Sequence, residues 1–234
     1  MRSPQGLILQ HGLMDPPALL GDWLERERIG FDVCETWHTE AEPDLAGRDF
    51  LVVLGSSHSA TQDDPPWIPI VRATIDAALS RELPVLGICF GAQALALALG
   101  GEVFAASEPE VGWRSVETDD PAVIPPGPWL HWHFEAFTVP EAGKELARSE
   151  SCVQAFSAGR HLALQFHPEA TPEIAEAWAD QDRERLQELG IDDSEYRRAE
   201  DHRDQVRAAA DSMFASWWRL AFGGTDGSRA QRSG

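Results

Sequence analysis

An α/β fold built on a mostly parallel central sheet is what this sequence predicts, and three observations carry that reading. Phe50-Leu51-Val52-Val53-Leu54 is an unbroken apolar run stopped by Gly55, as a strand covered on both faces reads. Pro84-Val85-Leu86-Gly87-Ile88-Cys89 is a second such run. It passes directly into Phe90–Leu99, apolar all round and closed by Gly100-Gly101, as a buried helix is. Strands and helices alternating in this order place helices on both faces of the sheet.

The remaining elements follow in order. Leu7-Ile8-Leu9 opens the chain as a short strand, and a helix is expected from about Pro17 to Arg28. Phe31 to Trp37 alternates apolar and polar residues, as a half-buried strand does. The turn Asp63-Asp64-Pro65-Pro66 leads into a helix with Ile68, Val71, Ile75 and Ala78 at helical spacing. After Glu102 the strands shorten to Arg114–Thr118, Trp129–Val139, Val153–Ser157 and Leu162–Phe166, which predicts an antiparallel portion of the sheet. From Thr171 to about Phe222 the chain reads as charged helices, by default solvated faces packed through residues such as Trp178, Leu186 and Trp217. We read residues 1–222 as one domain, with a core over about 5–175 and a helical extension over about 171–222. Residues 223–234, rich in Gly, Ser and Arg, are expected to be a disordered tail.

The 234 residues suffice for one α/β domain with a proper core. Lys and Arg number 19 against 39 Asp and Glu, a net charge of −20, which repels phosphate backbones and anionic lipid heads. Neither nucleic acid nor a membrane is therefore expected as a partner. Three cysteines at no metal-ligand spacing fit a reducing compartment. The N-terminus lacks a signal-peptide core, and no apolar run approaches the ~20 residues that span a bilayer, so a cytoplasmic location is expected.

Chemistry concentrates at two strand ends. In Gly87-Ile88-Cys89-Phe90-Gly91-Ala92-Gln93 a buried strand turns sharply into a helix, with glycines on either side of Cys89 permitting the turn. The helix N-terminus favours a thiolate, and the backbone N–H of Phe90 is placed to donate to an oxyanion. Leu164-Gln165-Phe166-His167-Pro168-Glu169 ends another apolar strand. His167 there has the chemistry of a general base for Cys89, and Glu169 of a group that orients the imidazole.

Residues 87–93 and Gln165-Phe166-His167-Pro168-Glu169 together resemble the two signatures of class I glutamine amidotransferases, in the free-standing, GMP-synthase-like branch. The similarity covers about residues 5–175. It implies a three-layer flavodoxin-like sandwich and hydrolysis of the glutamine side-chain amide through a γ-glutamyl thioester on Cys89, with His167 and Glu169 completing the triad. No cofactor is expected.

Further roles come from the same resemblance. Val53-Leu54-Gly55-Ser56-Ser57-His58-Ser59 stands where the family has a Gly-Gly-Pro loop, so Gly55 falls at the substrate and the Ser56 N–H in the oxyanion hole. His131-Trp132-His133-Phe134-Glu135-Ala136-Phe137 resembles a segment lining the glutamine pocket, with Phe134 replacing Gly and Glu135 replacing Asp. His131, Trp132, His133 and Glu135 are thus candidate substrate-binding residues, with Glu135 a candidate for the α-ammonium group. Gln93 joins them, and Gly112-Trp113 is expected nearby. No metal is expected, because alternation along a strand offers only two histidine ligands and no acidic partner at the usual spacing. His11, His38, His58, His161 and His202 are expected to be surface or structural.

The ammonia needs an acceptor, and no Gly-rich phosphate loop of the Gly-x-x-x-x-Gly-Lys-Ser type occurs here. A separate synthetase partner is therefore the first expectation. The same triad would also serve a γ-glutamyl amide or peptide hydrolase that stands alone. A binding or regulatory subunit that kept only the fold is a third reading, against which the intact Cys89, His167 and Glu169 weigh.

Overall fold

The computed structural model describes residues 2–192 and 203–223. Residues 224–234 of the expected tail (223–234), part of the helical extension (193–202) and His202 lie outside the described residues. Five strands run parallel in the order β2-β1-β3-β4-β10: β1 (Gln5–Gln10), β2 (Gly30–Glu35), β3 (Phe50–Val53), β4 (Val85–Ile88) and β10 (His161–Leu164). Antiparallel β9 (Val153–Ala158), β8 (Lys144–Arg148) and β6 (Glu117–Thr118) extend the sheet beyond β10.

The period of two along each parallel strand sorts its side chains into two cores. Ile8, Val52, Leu86 and Leu162 face one way, packed with α1 (Ala18–Arg26) and the C-terminal helix α6 (Arg203–Phe222). Leu7, Leu51, Val85 and Ala163 face the other way, against α2 (Trp67–Ser80) and α3 (Phe90–Ala98). Both faces are covered, which is why these strands read as continuous apolar runs rather than alternating ones. The result is the α/β sandwich of three layers that the sequence predicts.

Two elements differ from expectation. The stretch after Glu102 is a long strand, β5 (Val103–Arg114), paired antiparallel with β7 (Trp129–Phe137) as a two-stranded ribbon outside the main sheet. Its register is interrupted between Ala105 and Glu110, a bulge that accommodates Pro109, which has no N–H to give a ladder. That acidic, Pro-containing stretch hides the strand from a pattern search. The other is β8, whose charged Lys144, Glu145 and Arg148 obscure it.

The C-terminal helices also pack. Val206, Ala210, Met213, Phe214 and Trp217 recur on one face of α6 and are buried in the first core. Phe50 of β3 meets Trp217 and Trp218 edge-on, with centroids 5.5 and 5.6 Å apart. Trp217→Ala should therefore destabilise the protein by about 3–5 kcal/mol, the range for emptying a buried aromatic site. At roughly 2–4 °C per kcal/mol for a chain of this size, a thermal melt should show the midpoint falling by about 6 °C or more. A shift within error would mean that α6 is not integral to the core.

Candidate functional site

Three sheet strands and the ribbon aim their C-terminal ends or faces at one place. β4 ends at Ile88 and α3 begins at Phe90, so the chain reverses its local conformation at Cys89, with φ 49° and ψ −105°. Residues with a Cβ rarely occupy that region, and the surroundings must hold it there. Gly91, two residues on, lies so near β3 that a Cβ would drive into the Val53 carbonyl. The close approach of α3 to β3 thus requires glycine at that position. The N–H of Phe90 heads α3, where helix geometry supplies no intrahelical acceptor.

His167 follows β10, the parallel neighbour of β4, and its N–H donates to Leu130 O at 2.8 Å, tying it to β7. Its Nδ1 lies 2.8 Å from Glu169 Oε1, and both side chains are buried. Gly55, at the end of β3, leaves room for the pair: a Cβ there would stand 2.7 Å from His167 Cε1 and 3.6 Å from Cys89 Cβ. The Cys89 thiol points to Trp132 O at 3.8 Å and accepts from Gln165 Nε2 at 3.6 Å. Cys89, His167 and Glu169, 80 positions apart at the extremes of the sequence, are thus brought together.

Burial disfavours a charge on His167, but Glu169 and then Cys89 outweigh it and raise the ring's pKa to about 10. The imidazole is accordingly held as the cation beside the thiol.

A cavity of about 600 Å³ opens over this group. Of the residues expected at the substrate, Gln93, Trp132, His133 and Glu135 line it, as does Ser56. The Glu135 carboxylate accepts from Ser59 Oγ at 2.8 Å, while Gln93 Nε2 donates to Gln165 Oε1 at 3.4 Å. His131 does not reach the cavity. It lies deeper along β7, fully buried, with its ring 5.8 Å from His133 and 6.1 Å from Phe166, and burial lowers its pKa to about 3. Gly55 contributes by its closeness to the His167 ring, and Gly112 and Trp113 are not among the lining residues.

Several lining residues escape the sequence reading. His11 and His58, expected to be surface or structural, both face the cavity and bracket Trp67, His11 stacking at 4.8 Å and His58 edge-on at 5.6 Å. Burial, with His58 adding to it, lowers the pKa of His11 to about 3. Asp15, in the loop after β1, has its pKa raised to about 6 by burial; His167 pulls the other way and Glu169 adds to the rise. Its place beyond the carboxyl end of a parallel strand is the one signal that could have found it.

The other wall comes from α4 (Pro172–Gln181) and α5 (Arg183–Glu188), expected to be solvated. Thr171 caps α4 by accepting from the Ile174 N–H, and Pro172 fits its first turn. Trp178 sets its ring 4.7 Å from His167 and donates to Met14 O at 2.9 Å. Asp182 accepts from Trp132 Nε1 at 2.8 Å, and the Arg185 guanidinium lies 3.4 Å over the Phe134 ring.

Glu110 forms a third buried group with His131 and His133 on the inner side of the ribbon. Alternation along one strand offers only the two histidines, whereas Glu110 comes from β5, which the antiparallel register places opposite His133.

The electrostatics of the pair can be measured directly. In ¹⁵N-histidine NMR, His167 should keep its second proton through neutral pH and lose it only as pH rises toward about 10. Glu169→Gln removes the strongest group raising that value, so the midpoint should fall. An unchanged midpoint in the variant would show that Glu169 does not hold the charge.

The family described as Glutamine amidotransferase class-I matches this chain over residues 29–178. GMP synthase [glutamine-hydrolyzing] of Yersinia enterocolitica serotype O:8 is 30% identical over 159 residues, covering 59% of this chain and 29% of that protein. The protein of the same name from Escherichia coli O127:H6 is 30% identical over 162 residues, with the same coverage. The chain thus spans 29% of the length of these curated relatives. Among solved structures, a glutamine amidotransferase from Methylobacillus flagellatus superposes with TM-score 0.81 at 26% identity, covering 94% of this chain and 96% of its own. One from Thermotoga maritima gives TM-score 0.82 at 24% identity, covering 93% and 99%.

Proposed function

Because this chain belongs to the class I glutamine amidotransferase family, we propose that it hydrolyses the side-chain amide of glutamine through a γ-glutamyl thioester on Cys89. The observation that carries this reading is the Cys89 turn at the end of β4 with the His167–Glu169 pair at the end of neighbouring β10. The Cys89 thiolate attacks the amide carbon, and the oxyanion is met by the N–H groups of Phe90 and Ser56. His167 delivers its proton to the nitrogen as the C–N bond breaks, and ammonia leaves. Water then gives a proton to His167 and attacks the thioester, and C–S cleavage releases glutamate and restores the thiolate beside the protonated imidazole. Glu169 holds the imidazole in orientation and stabilises its charge throughout. Glu135 is the partner of the α-ammonium group in this reading, which its position in the cavity lining supports.

The relatives named GMP synthase [glutamine-hydrolyzing] match over only 29% of their length. Their name supports the reading that the ammonia goes to a synthetase activity, in a partner of this chain.

The cavity favours a second reading alongside the first. Its 600 Å³ falls among sites that hold drug-sized ligands, roughly 300–1,000 Å³, and exceeds what one amino acid fills. Phe134 and Arg185, in contact with each other, both line it and would meet the amine of a γ-glutamyl amide. The same thioester chemistry would then release an amine larger than ammonia.

Purified protein should release glutamate and ammonia from L-glutamine, with Cys89→Ala lowering the rate by roughly 10⁴-fold or more. Glu169→Gln should lower it by roughly 10²–10⁴-fold. No Cys89-dependent release from glutamine or from any γ-glutamyl amide would overturn the hydrolase reading. The two substrates separate at Arg185: Arg185→Ala should raise KM for amides of bulky amines and leave that for glutamine unchanged.

A further inference from the structure

The β5–β7 ribbon buries a polar constellation that the proposed chemistry does not use. Glu110 on β5 lies opposite His133 on β7, and His131 stands two residues earlier on the same face of the strand. One ligand atom from each of the three lies within 4.8 Å of the others, and all three residues are buried. Glu110 Oε2 accepts from Gln154 Nε2 at 2.7 Å and Ser149 Oγ at 2.9 Å, and lies 3.3 Å from His133 Nε2.

The group is incomplete as a hydrogen-bond network. Among the described residues, six buried side-chain polar atoms lack a partner, and three of them fall here: both ring nitrogens of His131 and Oε1 of Gln154. A buried imidazole always has donors or a lone pair to satisfy, and native interiors rarely leave both nitrogens unmatched. An electron-pair acceptor at the centre of the group would take the lone pair of one of those nitrogens, since imidazole nitrogen and carboxylate oxygen are the ligands such an ion takes. Metal bonds of about 2.0–2.2 Å set ligand atoms roughly 3–4 Å apart, so side-chain rotations closing the group by about 1 Å suffice.

We propose that Glu110, His131 and His133 bind one divalent transition-metal ion of the Zn²⁺ type, as a two-histidine, one-carboxylate site in the ribbon. The ion fastens β5 to β7 beside the bulge, where the ladder between Ala105 and Glu110 lapses. It thereby fixes the segment that carries Trp132, whose carbonyl accepts from the Cys89 thiol. Its role is structural and positional, and no step of the amide chemistry runs through it.

The test uses the full chain bearing Cys89→Ala, so that the thiol beside His167 cannot itself hold the metal. After chelator treatment and dialysis, Zn²⁺ titrated by calorimetry should bind in 1:1 stoichiometry and raise the thermal midpoint. Co²⁺ in its place should give the visible absorption of a low-coordinate nitrogen and oxygen site. Glu110→Gln and His131→Gln, each checked for folding by circular dichroism, should weaken Zn²⁺ binding at least about 10–100-fold. If either variant fails to fold, the Co²⁺ spectrum of the parent decides. Absence of 1:1 binding in the parent, or unchanged affinity in a folded Glu110→Gln or His131→Gln variant, overturns the proposal.

Discussion

Cys89 is held at φ 49° and ψ −105°, a backbone conformation that ordinary side chains avoid, and the geometry of the whole site follows from that hold. Only a sharp turn lifts the thiol out of the strand while setting it at the head of α3, where unpaired N–H groups converge. The turn in turn needs α3 to lie against β3 closely enough that Gly91 touches the Val53 carbonyl. β3 and β4 are paired in parallel, and β10 pairs with β4 in the same sense. Parallel neighbours bring their carboxyl ends to one edge, so Gly55, Cys89 and His167 meet without any long-range loop having to find its place.

Around that fixed edge the cavity is assembled from parts of different rigidity. The thiol side is sheet and buried helix. The opposite wall is α4 and α5, joined to the site by Trp178 against His167 and by Asp182 on the Trp132 indole. Burial by Trp178 removes water from the imidazole, which by itself would discharge the ring. Glu169 reverses that, and the balance settles in favour of the cation. A hydrophobic cover and a buried carboxylate therefore act together: the first strengthens every charge interaction inside, and the second decides which charge is present. No helix among the described residues is long and apolar enough to cross a membrane.

How much of this was legible follows from the physics of each part. The parallel strands and the Cys89 turn were readable because burial on both faces leaves unbroken apolar runs with small residues at their ends. His167 and Glu169 were readable because they close such a run. β5 was not, since Pro109 and its acidic neighbours Glu108 and Glu110 read as loop while the ribbon register absorbs them in a bulge. Gln181, Asp182 and Arg185 were not, because a charged helix face lining a cavity has the same sequence as one facing water. Asp15 and His11 sit in a loop and at a strand end, where only three-dimensional proximity to Glu169 and Trp67 gives them meaning.

The ribbon shows most clearly why strand periodicity alone undercounts a site. Alternation along β7 sets His131 and His133 on one face but cannot say what stands across from them. The partner strand supplies Glu110 only through a register that resumes beyond the bulge, so a shift of one residue would turn its carboxylate to the other face. Between the two histidines Trp132 points the opposite way, its indole toward Asp182 on the cavity wall and its carbonyl toward Cys89. One strand thus carries the buried polar group while residues from both of its faces, His133 and Glu135 on one and Trp132 on the other, reach the cavity. Whatever fixes the register of β5 on β7 also fixes where the Trp132 carbonyl stands relative to the thiol.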